Sequence, residues 1–300
     1  MRRKHIPTVL LLAACAAVGC SKAAEAPEAR TQQLPIPAPK PAPVKPEAID
    51  QETGQGVGEV APTKITGPVS FADADAAFQA KNYNEAVTLF EAYTEQRPRN
   101  PWGHFMLGLS ASKAGDAAKA ESAFTQALSI DPNHVKSLVN LSRLLIDQGR
   151  IDDALVDLTH AGEMAPSAEV QRLLGRAYAE QHKSDEAADA YRRAIALDPR
   201  DAWSMNNLGL LFLEQDRADE ALPLLARAVQ LRMDVPAFHN NLGMALEHTE
   251  RFQAAAEEYR DALTADRGYG KAKQNLARVE AVRVGDEEPF DLEAVATVGR

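Results

Sequence analysis

The 34 residues from Ala168 to Asp201, AEVQRLLGRAYAEQHKSDEAADAYRRAIALDPRD, decide the fold of this chain. Leu174, Gly175 and Tyr178 belong to one helical segment. Ala187, Tyr191 and Ala194 follow at i, i+4 and i+7 in a second. Asp198-Pro199 ends it, because proline disfavours helix at the residue before it. The stretch reads as a helical hairpin whose small residues let its two helices approach closely.

Units starting at Gly67, Pro101, Val135, Ala168, Ala202, Pro236 and Gly270 repeat this pattern at intervals of 34, 34, 33, 34, 34 and 34 residues. The eighth residue is always small: Ala74, Gly108, Ser142, Gly175, Gly209, Gly243 and Ala277. The twentieth is Ala in every complete unit: Ala86, Ala120, Ala154, Ala187, Ala221 and Ala255. In the second unit Trp102, Phe105, Leu109 and Ser112 share one helix face, and Phe124 fills the gap that Gly108 and Ala120 leave. Gly115-Asp116 makes the turn between its helices, since glycine takes the left-handed conformation readily.

No single hairpin can bury such faces, so a fixed period of this size means an all-α solenoid stabilised by stacking. The seventh start supplies only a first helix, polar on its outer side, which is expected to cap the stack. The acidic tail from 284 to 300 is expected to be disordered. The one short interval, at Met164-Ala165-Pro166-Ser167, predicts a local change of superhelical pitch.

The 300 residues carry a net charge of −10, unevenly spread: residues 1–70 carry +2 and residues 71–300 carry −12. So acidic a folded part excludes nucleic acid as its partner, because phosphates need a basic face. Cys15 and Cys20 are the only cysteines, so neither disulfides nor thiolate metal sites stabilise the repeats. No H-E-x-x-H pattern, nucleophile elbow or phosphate loop is present. An enzyme, a cofactor, a bound metal and a small-molecule substrate are therefore not expected. His104 and His239 recur at the fourth position of their units and read as packing residues rather than metal ligands.

The N-terminus reads as an address. Met1-Arg-Arg-Lys-His is basic, and Ile6 to Gly19 is an uncharged, mostly apolar run too short to span a bilayer, which takes about 20 residues. Ending in cysteine after small residues, residues 1–20 resemble a bacterial lipoprotein signal, with Cys20 as the lipidated residue and Cys15 as the alternative. The Ser or Ala that follows implies the outer membrane by that family's sorting tendency. Residues 21–68 lack apolar periodicity and read as a disordered, proline-rich linker. Within them Pro35 to Pro46 alternates proline, enforcing a polyproline rod of roughly 37 Å at about 3.1 Å per residue.

The repeat positions resemble the tetratricopeptide repeat (TPR). That family places Leu-Gly at seven and eight, a large residue at eleven, Ala at twenty, an aromatic at twenty-four, Ala at twenty-seven and Pro at thirty-two. Leu174-Gly175, Tyr178, Ala187, Tyr191, Ala194 and Pro199 match throughout; Leu208-Gly209, Phe212, Ala221, Leu225 and Ala228 match all but the proline. The resemblance implies a right-handed superhelical solenoid over 69–283, made of six hairpins and the capping helix.

It also implies that positions two, five, six, nine, twelve and thirteen line a concave groove. There the sequence places Asn140, Asn207, Asn241 and Asn275, a ladder of carboxamides suited to the backbone of an extended peptide. Lys136, Arg143, Arg172 and Arg176 fall on lining positions of the third and fourth units, suited to a carboxylate or to ion pairs with Asp147, Glu169 and Glu180. Trp102 and Trp203 occupy position two, where the core does not need an aromatic.

The expected role is a lipid-anchored, periplasm-facing envelope scaffold that binds a protein or peptide segment in this groove. Such repeats behind a lipoprotein signal resemble the pilotin-type lipoproteins of type IV pili, which assist secretin assembly. An accessory regulator of cell-wall synthases or hydrolases is the alternative.

Overall fold

A computed structural model of the chain describes residues 67–282 and 290–297. The leader, Cys15, Cys20 and nearly all of the linker lie outside the described residues. The described part folds into six consecutive hairpins: α1 (Phe71–Gln79) with α2 (Tyr83–Gln96), α3 (Pro101–Ala114) with α4 (Ala117–Ile130), and α5 (Val135–Asp147) with α6 (Ile151–Met164). There follow α7 (Ala168–Glu180) with α8 (Ser184–Leu197), α9 (Ala202–Glu214) with α10 (Ala218–Leu231), and α11 (Pro236–His248) with α12 (Phe252–Ala265). The capping helix α13 (Gly270–Glu280) closes the stack, and a short α14 (Leu292–Thr297) comes after it. No described helix is long and apolar enough to cross a membrane.

Polar side chains start several of the first helices. Asn100, Ser167 and Asp201 each accept a hydrogen bond from the backbone N–H three residues on, satisfying a donor the helix leaves orphaned. Within every hairpin the fifteenth residue turns the chain in the left-handed conformation. Only Gly115 (φ 84°) and Gly149 (φ 75°) are glycines there; Lys81, His182, Asp216 and Glu250 adopt φ of 57–63° with a Cβ in place. The turn is thus a fixed geometric requirement that four units meet at a steric cost of roughly 1 kcal/mol each. The short repeat interval is absorbed between hairpins: three residues, 165–167, join α6 to α7, where four join every other pair.

The core follows the repeat register. The alanines at position twenty are 0% exposed, and Phe90, Phe124, Leu158, Tyr191, Leu225 and Tyr259 at position twenty-four lie at or below 3%. Burying each of these large side chains contributes roughly 1.5–3 kcal/mol. Their fit needs a notch at position eight. A Cβ on Gly108 would stand 2.6 Å from the Phe124 ring, and one on Gly175 or Gly243 would meet Tyr191 or Tyr259 at 2.6 and 2.5 Å. Beyond its hairpin partner, the backbone of each first helix also comes close to the first helices of neighbouring units, while the backbones of the second helices stay farther apart and meet through side chains, as Lys119 of α4 does with Glu91 of α2 at 2.7 Å. Closer approach on one side than on the other curves the stack and puts the first helices on the inner face.

The cap is latched by a polar triad. Arg278 of α13 donates to both carboxylate oxygens of Glu247 at 2.7 and 2.8 Å, and the Tyr259 hydroxyl donates to Glu247 at 2.8 Å. Burial raises the Glu247 pKa, but these donors outweigh it and hold the carboxyl below its ordinary range.

The tail differs from the disorder expected of 284–300. Phe290, Leu292 and Val295 pack with buried Ala296 against the core beside α10, and Gln230 donates to the Leu292 carbonyl. Six residues cannot sustain a helix alone, so this apolar face is what orders α14. The acidic composition of the tail concealed it. Residues 283–289 and 298–300 lie outside the described residues.

Candidate peptide-binding site on the inner face

Five of the ten groove residues expected from the sequence come together. Arg143 from α5, Arg172 and Arg176 from α7, and Trp203 and Asn207 from α9 line one cavity of about 470 Å³. Tyr191, Leu210 and Leu211 supply apolar wall, and Glu180 and Glu214 add negative charge. The cavity lies where the buried apolar core divides, one cluster running up to α7 and the other beginning at α8. Trp203 is 44% exposed, its ring edge-on to Phe238 with centroids 4.8 Å apart. It is a held but accessible aromatic surface.

Each arginine already has a carboxylate. Arg143 pairs with Glu169, and Arg176 pairs with Asp147 at 2.6 Å, both as the sequence suggested. Arg172 instead donates to Asp201 at 2.7 Å. Asp201 is the N-cap of α9, its side chain 3% exposed, and it also accepts from the Ser204 hydroxyl at 2.7 Å. Arg172 is therefore bound into the helix start, whereas Arg143 and Arg176 sit in exposed pairs. Asp201 was readable in principle: it follows Arg172 by 29 residues, the same separation that joins Asp147 to Arg176.

The asparagine ladder pairs with itself. Asn275 donates to Asn240 (2.9 Å), Asn240 to Asn241 (3.3 Å), Asn241 to Asn206 (2.8 Å) and Asn206 to Asn207 (3.2 Å). Asn206 and Asn240, at position five, were missed because the sequence reading followed position six alone. Asn241 is 8% exposed, so it supports the inner face rather than presenting an open amide. The relay ends at the cavity, which Asn207 and Tyr191 both line. Burial pushes the Tyr191 hydroxyl above the usual tyrosine range.

The remaining expected residues form a second locus beside the cavity. Lys136 lies 5.1 Å over the ring of Trp102, which is edge-on to His134 at 4.7 Å. Asn140 donates to the Lys136 carbonyl and accepts from Arg143 at 3.1 Å, aiming that guanidinium. His104 contacts the Pro98 carbonyl and His239 contacts Glu258, both through ring nitrogens.

The comparisons agree with this architecture. The family described as Tetratricopeptide repeat-like domain matches residues 68–210, and the Tetratricopeptide repeat family matches residues 206–270. Cellulose synthase operon protein C of Xanthomonas axonopodis pv. citri is 31% identical over 128 residues, covering 40% of this chain and 8% of its own length. The chain of the APC/C hetero-tetramer Cut9-Hcn1 structure superposes with a TM-score of 0.63 at 17% identity, over 69% of this chain and 41% of that one. Pseudomonas aeruginosa pilF superposes with a TM-score of 0.60 at 16% identity, over 69% of this chain and 95% of that one. The chain thus spans under a tenth of that sequence relative and less than half of the first structural one. With two family matches running from Pro68 to Gly270 and six stacked hairpins in register, this chain belongs to the tetratricopeptide repeat family, a protein-interaction scaffold.

Proposed function

We propose that the chain is a lipid-anchored adaptor of the bacterial envelope that holds a peptide segment of a partner protein in the cavity between α5, α7 and α9. The observation that carries this reading is the cavity itself: arginines in exposed pairs stand beside an accessible Trp203 within an otherwise acidic domain. Such a site suits a segment with a carboxylate next to an apolar side chain. The address in residues 1–20 supports an outer-membrane anchor through Cys20, with Cys15 as the alternative, and the proline rod supports reach from the lipid towards the periplasm. No small molecule or nucleic acid is its ligand in this reading, and it works without catalysis or cofactor.

Within the envelope, assembly of a multimeric outer-membrane complex such as a type IV pilus secretin fits best. The likeness to pilF, whose chain is covered almost end to end, supports it at the level of the fold. Regulation of cell-wall synthases or hydrolases is the second reading, favoured by the long tether. Deleting the gene decides between them: secretin left monomeric and pili lost supports the first, and normal multimers refute it. Recovery of murein enzymes from membrane pull-downs would support the second. For the site, charge reversal at Arg143 and Arg176 should weaken partner capture without altering circular dichroism; capture indifferent to both changes moves the site elsewhere.

A further inference from the structure

His239 on α11 is 6% exposed and both its ring nitrogens face acceptors. Nε2 lies 3.0 Å from the Met233 carbonyl and Nδ1 lies 2.8 Å from the Glu258 carboxylate. The backbone carbonyl has no proton to offer, so it fixes one on Nε2. That leaves the Nδ1 lone pair pointing at a carboxylate, an arrangement that requires a cation between them. Glu258 is itself 8% exposed, and the His239 ring is the polar group it faces. Asp261 follows Glu258 by three residues on α12, one turn along the same face. Its side chain has no hydrogen bond or ion pair among the described residues, and one oxygen of each carboxylate lies with a His239 ring nitrogen inside a 4.8 Å cluster, Nδ1 being the nitrogen that faces Glu258.

We propose that His239 Nδ1, Glu258 and Asp261 form a three-ligand site for a borderline divalent cation of the zinc class, bridging the two helices of the sixth hairpin.

Three features favour it. Charge balance comes first: a proton on Nδ1 leaves one imidazolium against two carboxylates, a net negative charge. A divalent ion on the neutral ring cancels both. Second, the Met233 carbonyl does what outer-shell partners of metal-bound imidazoles do, fixing the tautomer and the ring orientation. Third, the spacing is close to what is needed. Bonds of about 2.0–2.2 Å place tetrahedral ligand atoms about 3.3 Å apart, so the His239–Glu258 contact opens by roughly half an ångström while the exposed Asp261 swings in. Water completes the shell on the solvent side. One imidazole among the donors selects zinc-like ions over calcium or magnesium, which take oxygen ligands. A proton is the competing occupant: burial lowers the affinity of the ring for it, but Glu258 and Met233 more than compensate, and His239 titrates above the ordinary imidazole range.

The bound ion would tie α11 to α12 within the hairpin on which α13 is seated.

The test uses the purified full-length chain, stripped with chelator and titrated with zinc chloride near neutral pH. One saturable equivalent is expected, together with a rise in the melting midpoint, because an ion that binds only the folded state stabilises it by mass action. Asp261→Asn should weaken zinc affinity by roughly tenfold or more while leaving the metal-free midpoint in place, since that side chain is exposed. His239→Gln should abolish uptake, and Asp261→Asn keeps the outcome readable if that variant unfolds. No saturable uptake up to about 100 μM zinc, or uptake unchanged in Asp261→Asn, overturns the proposal and leaves a proton as the resident cation.

Discussion

Replacing Arg172 with Met and Arg176 with Met should have unequal consequences, although the two side chains lie one helical turn apart and line the same cavity. The Arg172 side chain is 25% exposed and its partner Asp201 only 3%, with a 2.7 Å contact between them. Loss of the guanidinium removes one charge-assisted hydrogen bond, about 1.5–3 kcal/mol. It does not cost the roughly 3–5 kcal/mol of a fully buried pair, because Ser204 still donates twice to Asp201 and Arg172 reaches water. About 2 kcal/mol is the working figure. The Arg176–Asp147 pair is 39% and 53% exposed, and such pairs contribute about 0–1 kcal/mol. For a domain of this size each kcal/mol moves the midpoint by about 2–4 °C, so Arg172→Met should fall by about 4–8 °C and Arg176→Met by less than about 4 °C, about half as much at any given slope or less. Thermal unfolding followed by circular dichroism measures both. Hydrogen exchange should accelerate at the first turn of α9 in the Arg172 variant alone. Equal midpoints would refute the assignment of Arg172 to the helix start. The distinction governs the functional assay, because loss of partner capture in an Arg172 variant reports α9 as much as the ligand.

Four further outcomes follow from the packing. Gly108→Ala puts a Cβ 2.6 Å from Phe124, so overpacking of about 1–3 kcal/mol outweighs the roughly 1 kcal/mol gained in helix propensity, and thermal unfolding should show a lower midpoint. Glu250→Gly should raise the midpoint by about 0.5–1 kcal/mol equivalent, since the left-handed turn at φ 59° then carries no Cβ strain. Glu247 is held below the ordinary glutamate range, so its stabilising contribution is complete above that range and disappears as pH falls through the lower folded value. Hydrogen exchange in α13 should therefore quicken in acid, and Glu247→Gln should remove that pH dependence. Truncation after residue 283 uncovers the α10 surface beneath Ala296, and exchange should rise in α10 while α4 and α6 stay as they are.

What the sequence made legible was steric. Position eight, position twenty and position twenty-four recur because every hairpin has the same crossing to fill, and the structure buries them as the register requires. What stayed hidden depends on partners a full unit away. Arg172 reaches Asp201 across 29 residues, and Asn241 reaches Asn206 across 35. Neither link belongs to the consensus, and both are settled by which rotamer the neighbouring unit leaves open. The left-handed fifteenth residue was hidden for another reason: glycine marks it only twice, and Lys81, His182, Asp216 and Glu250 occupy it without any compositional sign.

The same division bears on recognition. A ligand carboxylate entering the cavity must displace Glu169 or Asp147, each in an exposed pair that costs about 0–1 kcal/mol to open, and it gains little by attacking the Arg172 pair, where Asp201 is fixed by Ser204 as well. In the proposed peptide-binding reading, charge recognition therefore falls to Arg143 and Arg176. Asn140 already aims Arg143, and the apolar share falls to Trp203, an exposed ring at the cavity edge held in place by Phe238.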